Sequence, residues 1–368
     1  MRAIAGLLLL SASFSACGDL NTGASGTVVE AHVTRVITTA ERRVPGVEKG
    51  QLYQRLEVQL DSSLYRGERV EVDWGGRRAL DPAGLLHEGD RVLLTVSRDV
   101  AARTYTVTEV VRFPTLVPFA IVLVVALLAV ARLRGLAALA GLAASLAVFL
   151  LFIIPALQRG GDPLLPTVFG SVGVLTVAVF VVHGFGRKSV AALLGTFAGL
   201  IAVGGLGAMA LTAARMSGFA SEETIILSVA SDTPIDVARL ALAAVIVGSL
   251  GALVDMSVGQ SSTTFELAGT DPDLRGLPLY LSALRVGRDH IGSLVNTLAL
   301  AYFGGALPLV LLLSLGYQPL SVALNSEEMT LSILTVIVAS IGLVLTVPVT
   351  TAIAVRLAGS SRGLRTDA

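Results

Sequence analysis

GSLGALVDMSVGQSSTTFELAGTDPDLRGLPLYLSALRVGRDHIGSLVNTLALAYFGG, residues 248–305, decides how the whole chain reads. Two strongly apolar segments meet at a polar joint. The first carries Asp255 near its end; the second opens with Arg288, Asp289 and His290 and carries Asn296 further in. Ionisable groups are costly in hydrocarbon, so at membrane depth they serve packing, coupling or transport. At the water boundary they would only mark helix ends.

On a helical wheel, Gly248, Gly251, Asp255, Gly259, Ser262 and Glu266 follow one another at three or four residues and share a face. In the second segment Asp289, Ser293, Asn296 and Leu300 share a face, with Arg285 one turn earlier and Thr297 at its border. Antiparallel packing through these seams would bring Asp255 near Ser293, Asn296 or Thr297. A hydroxyl or carboxamide there can hydrogen-bond either protonation state of an Asp. Two readings stand: a polar cluster that sets helix register, or a site that takes a proton from one side and releases it to the other. Arg288 and Asp289 read as an interface ion pair, with Arg285 on lipid phosphates.

Composition sets the frame. Of 368 residues 54% are hydrophobic and 15% charged, with mean hydropathy +0.78; a soluble domain carries nearer a quarter charged residues. From Pro114 onward the apolar residues fall in runs of about 20, enough to cross a ~30 Å hydrocarbon core. The expected spans are roughly 115–131, 135–157, 163–183, 189–214, 235–259, 289–313 and 330–355. Loops on one side collect Arg132, Arg134, Arg187, Lys188, Arg275, Arg285, Arg288, Arg356, Arg362 and Arg365; those on the other hold only Arg159, Arg215 and Arg239. By the positive-inside rule the C-terminus is cytoplasmic and the span number odd. Residues 221–233 read as a short amphipathic helix at the outer surface. Glycines 195, 199, 204, 205 and 207, with Gly170 and Gly173, read as sites of close helix approach.

Residues 26–112 alternate in period two, with strands expected at 26–37, 52–60, 68–72, 91–96 and 104–111. Five short strands in so few residues suggest a small, OB-like barrel. Asp61, Asp73, Asp81 and Asp90 match no metal-ligand spacing, and no cofactor motif is found. Zero formal net charge argues against nucleic acid as a partner. Neither HExxH nor GxSxG occurs, so no enzyme is expected. Residues 1–17, MRAIAGLLLLSASFSAC, follow a secretory-signal pattern. Phe14-Ser15-Ala16-Cys17 resembles a lipobox. Lipidation on Cys17, plain cleavage and an uncleaved anchor all place the β segment outside the cytoplasm.

The expected architecture is therefore an α-helical polytopic membrane bundle of about seven spans (115–356). It carries a small extracytoplasmic all-β domain (26–112) and a cytoplasmic tail (357–368). Only Lys49 and Lys188 among 27 basic residues are lysine, which hints at a GC-rich bacterial genome. The expected location is the bacterial inner membrane. The expected partners are the lipid bilayer, a small solute or ion (the proton among them), and a second copy or another membrane protein.

The blocks GALVDMSVGQSSTTFEL and GRDHIGSLVNTLALAYFGGALPLVLL resemble the YibE/F family of bacterial multipass membrane proteins. Gly251, Asp255, Glu266, Leu267, Gly287, Arg288, Asp289, Asn296 and Thr297 carry the match. The resemblance implies an outer β head followed by a helical bundle, and little chemistry. An internal Asp on one helix and Ser, Thr and Asn on the returning one also look like the resistance–nodulation–division superfamily and its SecD/SecF-type members. Spans three to seven would then correspond to the last five of a six-helix half. That likeness implies proton coupling through Asp255; this chain departs from it in having one clear Asp, no second half and no large porter domain. Two functions follow: a proton-coupled permease or export helper, or a membrane-anchored scaffold working through its outer β domain.

Overall fold

The computed structural model describes residues 21–22, 26–42, 51–62, 65–75, 80–98, 103–231, 233–271, 273–316 and 319–359. Cys17, the lipobox and the C-terminal tail beyond Gly359 lie outside the described residues. The chain divides into two compact units, Met1–Leu123 and Val124–Ala368.

The first unit is an antiparallel half-barrel sheet. Its strands are β1 (Asn21–Thr22), β2 (Gly26–Arg42), β3 (Gln51–Leu60), β4 (Arg69–Trp74), β5 (Arg91–Arg98) and β6 (Arg103–Val110), in spatial order β4-β3-β2-β5-β6 with β1 on β2. The long β2 makes the curl. Its first half pairs with β5 and its second with β3, and register shifts between Val33 and Arg35 and between Val36 and Thr38 bend it. Alternation puts Val29, Ala31, Val33, Leu56, Val58, Leu60, Val92, Leu94 and Val96 in one aliphatic core. Among the described residues no ladder joins β4 to β6. Side chains bridge that gap instead: Tyr105 donates to Glu68 (3.0 Å), and Arg103 lies 5.1 Å above the Tyr65 ring. A loop plugs one end of the core. Gln54, buried, donates to Leu86 O (3.1 Å) and accepts from Leu86 N (2.8 Å), while Trp74 Nε1 donates to Gly84 O (3.0 Å).

The remaining described chain is helical. The helices are α1 (Phe113–Ala131), α2 (Leu133–Gln158), α3 (Leu164–His183), α4 (Arg187–Ala213), α5 (Glu222–Ala230), α6 (Val237–Thr270), α7 (Gly276–Gly305), α8 (Leu307–Ser314), α9 (Leu320–Leu324) and α10 (Glu327–Gly359). Six are long and apolar enough to cross a membrane; α7 and α8, bent by 67°, form a seventh if counted as one broken span. A wide turn at Phe149–Ile153 interrupts α2, because Pro155 lacks the N–H that would bond Leu151 O.

Two boundaries differ from expectation. α6 runs to Thr270 instead of ending near 259, and α7 begins at Gly276 instead of 289. The polar joint is helix on both sides of residues 271–275. The Gln260–Thr264 run looks like a loop by composition, yet its polar groups turn inward or bond their own helix. Thr264 Oγ1 donates to Gln260 O (2.8 Å), as does Thr270 Oγ1 to Glu266 O (2.9 Å). Pro278 falls in the first turn of α7, where no intrahelical N–H is lost.

The centre of the helical unit is the trio α4, α6 and α10. Nothing hydrophobic drives helices together in lipid, so close approach must come from small residues. A side chain at Gly195 would strike Thr350, one at Gly199 would strike Thr346, and one at Gly342 would strike Val203. Leu253 fills the junction of the three, 3.0 Å from the Cβ position of Gly199. At the α6 N-terminal end, Asp236 caps the helix through Arg239 N (3.0 Å), Arg239 pairs with Asp162, and Glu327 receives Ser217 N (2.8 Å) and Gly218 N (3.1 Å). The surface helix expected at 221–233 is α5, with Ser221 and Thr224 forming its capping box.

Candidate functional site

α6 has two polar faces, and they do different things. The inward face carries Ser257, Gln260, Ser261 and Thr264, all buried beside Leu253 and Met256. Gln260 Nε2 donates to Ala283 O of α7 (2.9 Å) and to Thr351 Oγ1 of α10 (2.7 Å), tying three helices at one point. Gly287 leaves room for that carboxamide: a Cβ there would meet Gln260 Oε1. Ser261 Oγ donates to Lys188 O at the start of α4 (2.8 Å). Helix register sets Ser257 one turn from Ser261, and Thr350 one turn from Thr346. The Ser257 and Thr350 hydroxyls are buried without a hydrogen-bond partner among the described residues.

The outward face carries the stripe read from the sequence. Gly248, Gly251, Asp255 and Glu266 are exposed, and Gly259 and Ser262 half-buried. Nothing lies within 4 Å of a Cβ placed on Gly251 or Gly259. Asp255 stands about 27 Å along α6 from Val237, at 1.5 Å per residue. It has no hydrogen bond and no ion pair among the described residues.

α7 runs antiparallel to α6, with Gly287 against Gln260 and the Tyr302 hydroxyl over Gly248. Leu279, Ala283 and Gly287 are buried, and Ile291, Leu294 and Leu298 pack against the core. The polar residues take the opposite side: Arg285, Arg288, Asp289, Ser293, Asn296 and Thr297 are all exposed. Register therefore sets Ser293–Thr297 at about the height of Gly251–Asp255. No hydrogen bond joins Asp255 to Ser293, Asn296 or Thr297 among the described residues; Thr297 Oγ1 donates to Ser293 O of its own helix (2.9 Å). Nor are Arg288 and Asp289 ion-paired among the described residues. The stripe and the α7 face share a level, not a bond.

Sequence reasoning passed over the inward set: Gln260, Ser261 and Ser257, with Thr346, Thr350 and Thr351 opposite. A signal was present. Gly342, Thr346 and Thr350 recur every four residues in α10, the same period as Gly195 and Gly199 in α4. Tyr302 was also missed, because a lone Tyr near a helix end reads as an interface anchor.

Among the described residues no group of three or more His, Cys, Asp or Glu is placed to hold a metal ion. No curated protein and no solved structure matches the chain. The family model for YibE/F-like protein matches residues 119–360, all but the first turns of the helical region. The chain belongs to the YibE/F-like protein family.

Proposed function

We propose that this is a multipass protein of the bacterial inner membrane that couples proton movement through Asp255 to the passage of a small solute, as a permease or export helper. One observation carries the reading. Asp255 is a carboxylate without a cationic neighbour among the described residues, set on a glycine-floored stripe of a helix able to span the bilayer. A structural Asp in hydrocarbon would be expected to hold a partner. The basic residues gathered in alternate loops support a cytoplasmic C-terminus and a β domain outside. The strand order β4-β3-β2-β5-β6 supports an OB-like reading of that domain. α6 is about 51 Å long at 1.5 Å per residue, so its last turns and the start of α7 extend into the cytoplasm. The test is proton flux in proteoliposomes, wild type against Asp255→Asn. Loss of flux with the fold intact is expected; equal flux would remove Asp255 as the coupling residue.

A second reading has its own observation. The Gln260 bonds to Ala283 and Thr351 are polar contacts that hold helices together, and a scaffold acting through its β domain would need no more. Deleting residues 26–112 should then abolish function, while Asp255→Asn leaves it unchanged.

A further inference from the structure

The bend between α7 and α8 borders, with α10, a half-open cavity of about 200 Å3, lined by Tyr302, Glu328, Ser332 and Met329 among others. We infer that this cavity is a water-filled vestibule through which protons reach Asp255, with the Tyr302 ring over Gly248 as its constriction.

The cavity has a polar wall. Glu328 and Ser332, one turn apart on α10, line it, and Thr335, buried, continues the same helix face. Ser332 Oγ donates to Glu328 O (3.0 Å) and Thr335 Oγ1 to Leu331 O (2.7 Å). Each hydroxyl thus spends its proton on the helix and keeps lone pairs to accept from water. The Tyr302 hydroxyl, half-buried, has no hydrogen-bond partner among the described residues. Such groups normally find one, and a polar, roomy cavity beside it supplies water. The space has room for several waters.

Tyr302, which lines the cavity, is its link to the α6 stripe. A Cβ on Gly248 would collide with the Tyr302 hydroxyl and lie 4.0 Å from Thr335 Cγ2. The next stripe position, Gly251, has open space above it, and Asp255 follows one turn later. From Gly248 to Asp255 is seven residues, about 10 Å along one face. Glycine at 248 is what lets Tyr302 close the route without sealing it. The inference rests on the reading that Asp255 exchanges protons, but its test does not.

Place single cysteines in a Cys17→Ser background, which removes the chain's only natural thiol. Treat sealed vesicles of either orientation with a cationic, membrane-impermeant methanethiosulfonate; the cysteine thiolate attacks its sulfur and expels methanesulfinate, a reaction that reports water. Glu328→Cys, Tyr302→Cys and Gly251→Cys should label from the same side. Leu300→Cys, exposed on the outward face of α7, should stay silent as a lipid-facing control. Gly248→Val should push on Tyr302 and abolish labelling at Gly251→Cys while sparing Glu328→Cys; Gly248→Ala serves the same purpose if the Val variant fails to fold. Silence at Gly251→Cys would overturn the vestibule. So would labelling from the opposite side to Glu328→Cys, or labelling indifferent to Gly248. If the labelling pattern holds while Asp255→Asn conducts protons like wild type, the vestibule stands and the coupling reading falls.

Discussion

The β unit and the helical unit bury opposite things. In the β unit the core is aliphatic, and Gln54 is its one fully buried polar side chain among the described residues. In the helical unit Thr196, Ser249, Ser257, Gln260, Ser261, Thr264, Thr346, Thr350 and Thr351 are buried, while every exposed large apolar side chain among the described residues lies at Phe113 or later. The contrast is the one expected of a chain fitted to two solvents, water around the β unit and lipid around the helices. Water rewards burying Val and Leu, at about 25 cal/mol per Å2. Lipid offers no such reward, so helices must meet through glycine against threonine, and polar groups go where other helices can satisfy them. Asp255 follows neither pattern, which is why it draws attention.

The contrast can be broken at its strongest point first. Gly195→Leu forces a side chain into Thr350 at the α4–α10 contact, and should cost about 3 kcal/mol, the upper end for overpacking; folded yield and thermal melting in detergent would show it. The same Leu at Gly205, which has open space around it, should be near neutral. Next, Gln54→Ala strands both Leu86 backbone groups in the β core, an expected loss of about 2 kcal/mol, read by melting of the full chain. Gln260→Ala removes a bond to Ala283 O and one to Thr351 Oγ1, yet should cost only about 1 kcal/mol, because polar pairs in lipid contribute modestly. If Gln260→Ala proves the more damaging of the two, the two-solvent account fails. The smallest effect belongs to Thr350→Val. It replaces a buried, unpartnered hydroxyl with a methyl of the same shape, and should leave melting unchanged or raise it by under about 1 kcal/mol.

Much of this was legible in the residues. Period-two alternation located five strands to within a few residues, because each strand has one wet and one dry face. Runs of about 20 apolar residues located the long apolar helices, except that the run at 289–313 crosses the bend between α7 and α8. The bounds of α6 and α7 were drawn too short for a physical reason: Ser, Thr and Gln at 260–264 end the apolar run that marked the span, yet the helix continues because those groups bond neighbouring helices or their own. Helical periodicity put Asp255 on the glycine stripe correctly. It could not say whether that stripe meets α7 or turns away, since that depends on which face of α7 carries Leu279, Ala283 and Gly287. The 67° bend after Gly305 was passed over although a signal was present: Gly304 and Gly305 are followed by Pro308, which has no N–H to bond Gly304 O.

The central claim concerns Asp255, and one measurement meets it directly. Purify wild type and Asp255→Asn, verify equal melting temperatures, reconstitute both at equal density and record proton flux under an imposed pH gradient. With Asp255 exposed and unpaired, the substitution should shift stability by no more than about 0.5 kcal/mol. The account predicts flux in the wild type and its loss in Asp255→Asn. Equal flux in two equally stable proteins would contradict it.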